Sequence, residues 1–227
     1  MKSQNSRSYL ALFLLLILPS FIYFYVTRGF NNFIELEFVG NETHVISDFS
    51  FVNQNNKLIN NTSMRGNIYV ANFFFTSCPK ICPNMIKNMA YVQKELSIYP
   101  AIRFLSHTVD PQNDTPERFL EYIENMRSNN IYIDTTNWDF VTGKRTDLYS
   151  IASSYLAESP GEDALEEGGF FHSQAFILID KEGRIRSGID KDNNPVGFYD
   201  GRNELQMKDL VDDIKVLMAE YNKPKKK

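Results

Sequence analysis

Residues 68–75 read Ile-Tyr-Val-Ala-Asn-Phe-Phe-Phe, an almost unbroken apolar run. A strand with one wet face alternates apolar and polar side chains, so a run this uniform predicts a strand covered on both faces. Helical layers must then cover the sheet, which makes the chain an α/β protein. With 227 residues, 43% of them apolar, there is material for one core-forming domain and an appendage.

The rest of the pattern fits around that strand. Phe49–Phe51 and Lys57–Ile59 flank the turn-rich Asn53–Asn56, predicting a hairpin. After the apolar run, Pro83 suits a first helical position, and Met85, Met89, Val92 and Leu96 recur at helical spacing. Ala101–Val109 is the next strand. Thr115 is an N-cap, Pro116 a first helical residue, and Phe119, Ile123 and Met126 a buried stripe. A short strand follows at Trp138–Val141, then a helix marked by Leu148, Ile151, Ala152 and Tyr155. Residues 158–171, with Glu158, Glu162, Asp163, Glu166 and Glu167 and no basic residue, predict a mobile acidic loop. Ala175–Asp180 and Arg184–Ile189 form a hairpin around Lys181-Glu182-Gly183, and Asn203–Tyr221 makes a closing helix with Met207, Leu210, Ile214, Leu217 and Tyr221 on one face.

The N-terminus is of a different kind. Residues 9–26, YLALFLLLILPSFIYFYV, carry no charge, follow Lys2 and Arg7, and suffice for one crossing of a bilayer core of about 30 Å. No small-x-small cleavage site follows Val26, so an uncleaved anchor is expected. The layout expected is a cytoplasmic terminus over 1–8, an anchor over 9–26, a linker over 27–45 in which His44 is exposed, a domain over 46–221 on the extracytoplasmic side, and a basic tail over 222–227. The absence of an Arg- and Ser-rich presequence favours a bacterial plasma membrane over the mitochondrial inner membrane. A net charge of −4 lacks the positive balance that neutralises phosphates, which argues against nucleic acid as a partner.

Two cysteines cannot staple a fold of this size, so they are available for chemistry. Cys78-Pro79-Lys80-Ile81-Cys82-Pro83 follows the buried strand and runs into a helix, where backbone N–H groups and the helix dipole gather reactive groups. The same field favours a thiolate at Cys82. The three intervening residues allow a disulfide, and they equally allow two thiolates to converge on one soft metal ion. His172, in Phe170-Phe171-His172-Ser173 just before a strand, stands where a thioredoxin-type thiol enzyme carries a cis-proline, and is a candidate third ligand. His107 and Asp110 lie at the carboxyl end of the Ala101–Val109 strand; His107 reads chiefly as a strand residue, and Asp110 either as a turn residue or as an acceptor orienting a metal ligand. Met85, Met89, Met126, Met207 and Met218 fall in helices and read as core.

Three ordered stretches, VANFFFTSCPKICPNM at 70–85, VDPQNDTP at 109–116 and FHSQAFILID at 171–180, resemble the signatures of the SCO/SenC family, with Tyr199-Asp200-Gly201 and the last helix extending the likeness to about residues 45–221. The resemblance implies a thioredoxin-like fold, a central mixed sheet flanked by helices, behind an N-terminal transmembrane helix. It implies Cys78, Cys82 and His172 as ligands of copper, as Cu(I) or Cu(II). It also implies a metallochaperone that delivers copper to, or maintains thiols at, the dinuclear copper site of cytochrome c oxidase subunit II or a similar cuproprotein, served by a copper-loading protein or a thiol reductant. The rival reading is an enzyme, a membrane-bound thiol-disulfide oxidoreductase with Cys78 and Cys82 as its redox pair. A thiol peroxidase fits less well, because Thr76-Ser77-Cys78 lacks the T-x-x-C spacing of peroxiredoxins.

Overall fold

A computed structural model describes residues 13–23, 35–157, 160–162, 170–171, 173–190, 192 and 194–222. The chain divides into two units, 1–34 and 35–227. In the first, residues 13–23 form a helix, α1. Among the described residues no helix is long and apolar enough to cross a membrane; residues 9–12 and 24–26 of the expected span lie outside them.

The second unit is built on one mixed sheet. Its strands are β1 (Glu37–Phe38), β2 (Ser50–Asn53), β3 (Leu58–Asn60), β4 (Ile68–Phe74), β5 (Ile102–Thr108), β6 (Trp138–Thr142), β9 (Ala175–Ile179), β10 (Ile185–Ser187) and β11 (Tyr199–Asp200). They lie in the order β1-β10-β9-β4-β5-β6-β2-β3, with β11 also on β9. β4, β5 and β6 are parallel, and β9 runs antiparallel to β4 in the register Ala71↔Ile177. The apolar run is β4, buried at every position. Its one polar residue, Asn72, accepts a bond from Ser106 (2.7 Å), whose hydroxyl in turn accepts from the Trp138 indole (2.9 Å), a polar chain across three adjacent strands.

The crossovers β4–α3–β5 and β5–α4–β6 place α3 (Ile81–Glu95) and α4 (Pro116–Ser128) on one face. α6 (Glu204–Asn222) packs beside α3 there, burying Met207, Leu210, Val211, Ile214 and Leu217. α4 starts as read: Thr115 caps it by accepting from the Arg118 N–H, with Pro116 behind it. The β2–β3 hairpin extends the sheet at its β6 edge and leads into the short α2 (Asn61–Met64), while α5 (Arg145–Ser154) leads to Tyr155, whose ring meets Phe73 and His107 on the opposite face.

Two expectations shift. The folded unit begins at Glu35 and not after a linker ending at residue 45, because β1 pairs with β10 and Leu36 is held at both ends of its peptide, its N–H by Glu220 (2.6 Å) and its carbonyl by Arg186 (2.7 Å). His44 is also tied down, with its Nε2 2.7 Å from the Ser154 carbonyl at the end of α5. In the acidic segment, β7 (Gly161–Glu162) and β8 (Phe170–Phe171) pair antiparallel, while Glu158, Asp163, Glu166 and Glu167 lie outside the described residues.

Candidate metal centre

The site grows out of the carboxyl end of β4. Past Phe75 the chain turns back, with the Cys78 N–H on the Phe75 carbonyl (3.3 Å). α3 begins at Ile81, two residues before the proline expected to open it; Pro83 is its third residue, where an N–H would also have no partner within the helix. The N-cap, Lys80, supplies no side-chain capping hydrogen bond. Instead the Cys82 N–H donates to Cys78 Sγ at 3.3 Å, so a sulfur does the work an N-cap oxygen usually does. That contact draws the Cys82 backbone onto the Cys78 sulfur. The two cysteines are not joined in a disulfide, and Cys78 and Cys82 are 6% and 0% exposed.

Burial corrects the expectation of a thiolate at Cys82. The helix terminus favours charge there, but desolvation is larger, and together with the neighbouring Cys78 it pushes the Cys82 thiol far above its ordinary range. Without metal Cys82 is therefore a thiol, whose proton must leave when a cation arrives.

A buried carboxylate supports the loop from below. Asp114 accepts from the Thr76 N–H (3.2 and 3.3 Å to its two oxygens), from Thr76 Oγ1 (2.5 Å) and from Thr108 Oγ1. It thus joins the ends of β4 and β5 to the start of α4. Burial raises its carboxyl above the usual range, against the lowering effect of the two threonines. Asp110 shapes the turn: its N–H donates to Thr108 Oγ1 (2.9 Å), its Oδ2 accepts from Asn113 (2.7 Å), and its carbonyl accepts from the Asp114 N–H (2.9 Å). No hydrogen bond among the described residues links Asp110 directly to either cysteine.

His107 belongs to the other side of the sheet. It is the cross-strand neighbour of Phe73, and its ring stacks on Phe73 (5.2 Å between centroids) and meets Tyr155, Phe51 and Phe49 edge-on. The next residue along β4, Phe74, points the opposite way, to Phe119 and Tyr122 of α4. Strand alternation thus separates His107 from the face that carries α4. Burial lowers its pKa to about 3, so it is neutral at ordinary pH.

His172 lies outside the described residues. Its neighbour Ser173 leads into β9, and because β9 is antiparallel to β4, that strand starts at the sheet end where β4 finishes. Among the described residues no three His, Cys, Asp or Glu side chains form a group able to hold a metal ion. The structure brings Cys78 and Cys82 together and keeps His107 apart. Met85, Met89, Met126 and Met207 are core, and Met218 packs partly buried against it.

Sequence reasoning overlooked Thr76, Thr108 and Tyr122. The threonines each follow a strand's last aromatic or polar pair and gave a weak signal. Tyr122 had a clear one: it sits three residues after Phe119 and one before Ile123, inside the same buried stripe.

The sequence model of one family, SCO1/SenC, matches residues 39–201. The chain belongs to the SCO1/SenC family. Its curated relatives include the SCO1 protein homolog of Bacillus subtilis, 28% identical over 176 residues, covering 75% of this chain and 81% of that one. The SCO1/SenC likeness extends to solved structures. The structure of BsSco, described as having a disulfide switch and as a member of the Sco family of cytochrome c oxidase assembly proteins, matches with a TM-score of 0.64 at 25% identity over 81% of this chain and 97% of that one. Bradyrhizobium japonicum ScoI with copper bound matches with a TM-score of 0.56 at 21% identity over 73% and 97%, a likeness of fold.

Proposed function

We propose that this SCO1/SenC protein is a membrane-anchored copper metallochaperone, with Cys78, Cys82 and His172 as ligands of one copper ion that it passes by ligand exchange to the dinuclear site of cytochrome c oxidase subunit II or a similar cuproprotein. The observation that carries the reading is the 3.3 Å contact between the Cys82 N–H and Cys78 Sγ at the carboxyl end of β4. Two neighbouring buried cysteine sulfurs are soft donors suited to Cu(I). The donors described are two, fewer than a structural zinc site requires, so an imidazole arriving from the start of β9 would complete a low-coordination site that can release its cargo. The copper bound by the Bradyrhizobium japonicum protein and the assembly role named for BsSco support the assignment. Residues 9–26 are the anchor, with residues 1–8 cytoplasmic and the folded unit on the extracytoplasmic side, in a bacterial plasma membrane. Asp110 acts through the turn that holds Asp114.

A second reading rests on the same contact: the pair can close to a disulfide, as the switch named for BsSco does. The chain would then be a thiol-disulfide oxidoreductase keeping a client's cysteines reduced. Copper stoichiometry and affinity of the reduced full chain separate the two, compared with Cys78→Ser, Cys82→Ser and His172→Ala. One tightly held copper, weakened by each change, supports the metallochaperone. Binding that is weak, or indifferent to His172→Ala, overturns the three-ligand site and leaves thiol exchange.

A further inference from the structure

The last turn of α6 is clasped to the strand by which the chain enters the folded unit. The Leu36 N–H donates to one oxygen of Glu220 (2.6 Å), and Arg186 joins the other oxygen (2.7 Å) to the Leu36 carbonyl (2.7 Å). Arg186 is buried, so this pairing is shielded from water and fixes the end of α6 beside β1. One residue on, the Tyr221 ring lies under the Lys181 ammonium (4.8 Å), in the turn between β9 and β10. That turn is at the sheet end where β4 begins, because β9 is antiparallel to β4 and the Gly66 N–H donates to the Lys181 carbonyl (3.0 Å). The cysteines follow the other end of β4, seven residues or about 23 Å of strand away.

Two features of the sequence lead to this corner. The uncharged run 9–26 ends ten residues before Leu36, and Lys223, Lys225, Lys226 and Lys227, outside the described residues, begin three residues after Glu220. No acidic residue stands among these lysines, and without them the net charge of −4 would be −8. An acidic protein is repelled by an anionic bilayer except where its cations are gathered. The carboxylates around the Lys181 turn are already engaged, Asp180 and Glu182 by Arg184 (2.8 and 3.1 Å) and Glu220 by Arg186, while Glu35 and Glu37 are exposed.

We propose that the Lys181 turn and the lysines that follow α6 form a docking surface for the anionic headgroups of the bilayer, turning the sheet end where β4 begins toward the membrane and the cysteines away from it. The lysines set the orientation because the rest of the chain is acidic. Cys78 and Cys82 are then presented to a client's extracytoplasmic domain. This rests on the reading of residues 9–26 as the anchor.

The test is hydrogen exchange on the full chain in nanodiscs of phosphatidylcholine alone and of phosphatidylcholine mixed equally with phosphatidylglycerol. With phosphatidylglycerol, exchange at 36–39 and 181–184 is expected to slow about fivefold or more, the factor equivalent to one lysine at an anionic surface, while 76–85 is unchanged. The slowing should vanish in about 1 M salt, where the screening length is about 3 Å. It should vanish as well in the combined variant Lys223→Glu, Lys225→Glu, Lys226→Glu and Lys227→Glu, and weaken in Lys181→Glu.

Equal exchange in the two kinds of disc overturns the proposal. So does slowing at 76–85 in place of 181–184, which would set the cysteines against the bilayer, and so does slowing that survives both salt and the combined variant. The anchor is tested separately, by alkaline carbonate extraction of membranes from cells expressing the chain. If the chain is extracted, the anchor reading fails, and exchange at the same two segments with added phosphatidylglycerol vesicles still decides the lysine surface.

Discussion

The hydroxyl of Thr76 donates to the Asp114 carboxylate at 2.5 Å, two residues before Cys78. Asp114 also accepts from Thr108 of β5 and directly precedes the Thr115 cap of α4, so the cysteine loop is fastened to both and its shape does not depend on the cysteines alone.

Asp114→Ala should destabilise the fold on the order of 3 kcal/mol, since it strands two hydroxyls and an N–H. Asp114→Asn should reveal a pH effect of definite sign. Burial raises the Asp114 carboxyl, so the folded state holds that proton more tightly than the unfolded one. Its contribution is full below the unfolded value of 3.8 and is lost as pH rises through the raised folded value. Urea unfolding should thus show the wild type losing ground to Asp114→Asn as pH rises above the unfolded value of 3.8. Parallel profiles would sink this account.

His107 works in the opposite sense. Its folded pKa of about 3 lies below the ordinary 6.5, so the folded state binds fewer protons across that window. Its stability contribution is complete above 6.5 and lost as pH falls toward 3, at up to about 1.4 kcal/mol per pH unit. His107→Phe, which keeps the aromatic packing and removes two ring nitrogens with no partner among the described residues, should leave stability at pH 7 unchanged or raised. It should also flatten the acid limb of the denaturation curve. An unchanged acid midpoint would contradict it.

Arg186 is 5% exposed in its side chain and pairs with Glu220 (2.7 Å) and Asp180 (3.4 Å) while lying over the Phe38 ring. Arg186→Met should cost about 3–5 kcal/mol by leaving Asp180 and Glu220 without it. Because the same guanidinium holds the Leu36 carbonyl, hydrogen exchange should accelerate first at residues 36–38. Uniform acceleration across the sheet would mean that β1 is not the element it secures.

Gly201 leaves no room for a side chain: a Cβ there would stand 2.6 Å from the Phe176 ring and 3.0 Å from the Gln174 carbonyl oxygen. Its N–H bonds Gln174 and its carbonyl accepts from Asn88 of α3. Gly201→Ala should destabilise by about 1–3 kcal/mol and disturb the approach to β9. Calorimetry that finds the variant as stable as the wild type would show that Phe176 yields without cost.

Much of this was readable from residues alone. The uniform run Ile68–Phe75 implied a strand covered on both faces, and Thr115-Pro116 marked the start of α4, because burial and capping act over a few neighbouring residues. The sulfur pair was legible from its spacing. The start of α3 was misplaced by two residues, since a cysteine serving as the cap looks nothing like serine or aspartate. The charge state of Cys82 was misjudged because burial depends on how distant elements close over a thiol, which local spacing does not report. Glu35–Phe38 hid for a similar reason: a two-residue edge strand gains its place from Arg186 and Glu220, remote in sequence.

The seven-residue register between β4 and β5, which sets Phe73 beside His107 and Phe74 beside Thr108, also decides how many imidazoles the sulfur pair can meet. A slip of one residue would exchange the two faces of β5, turning His107 toward α4 and withdrawing Thr108 from Asp114. A change in the turn after α3 that slipped this register by one residue would therefore alter the donor inventory of the site while leaving the sequence of the cysteine loop untouched.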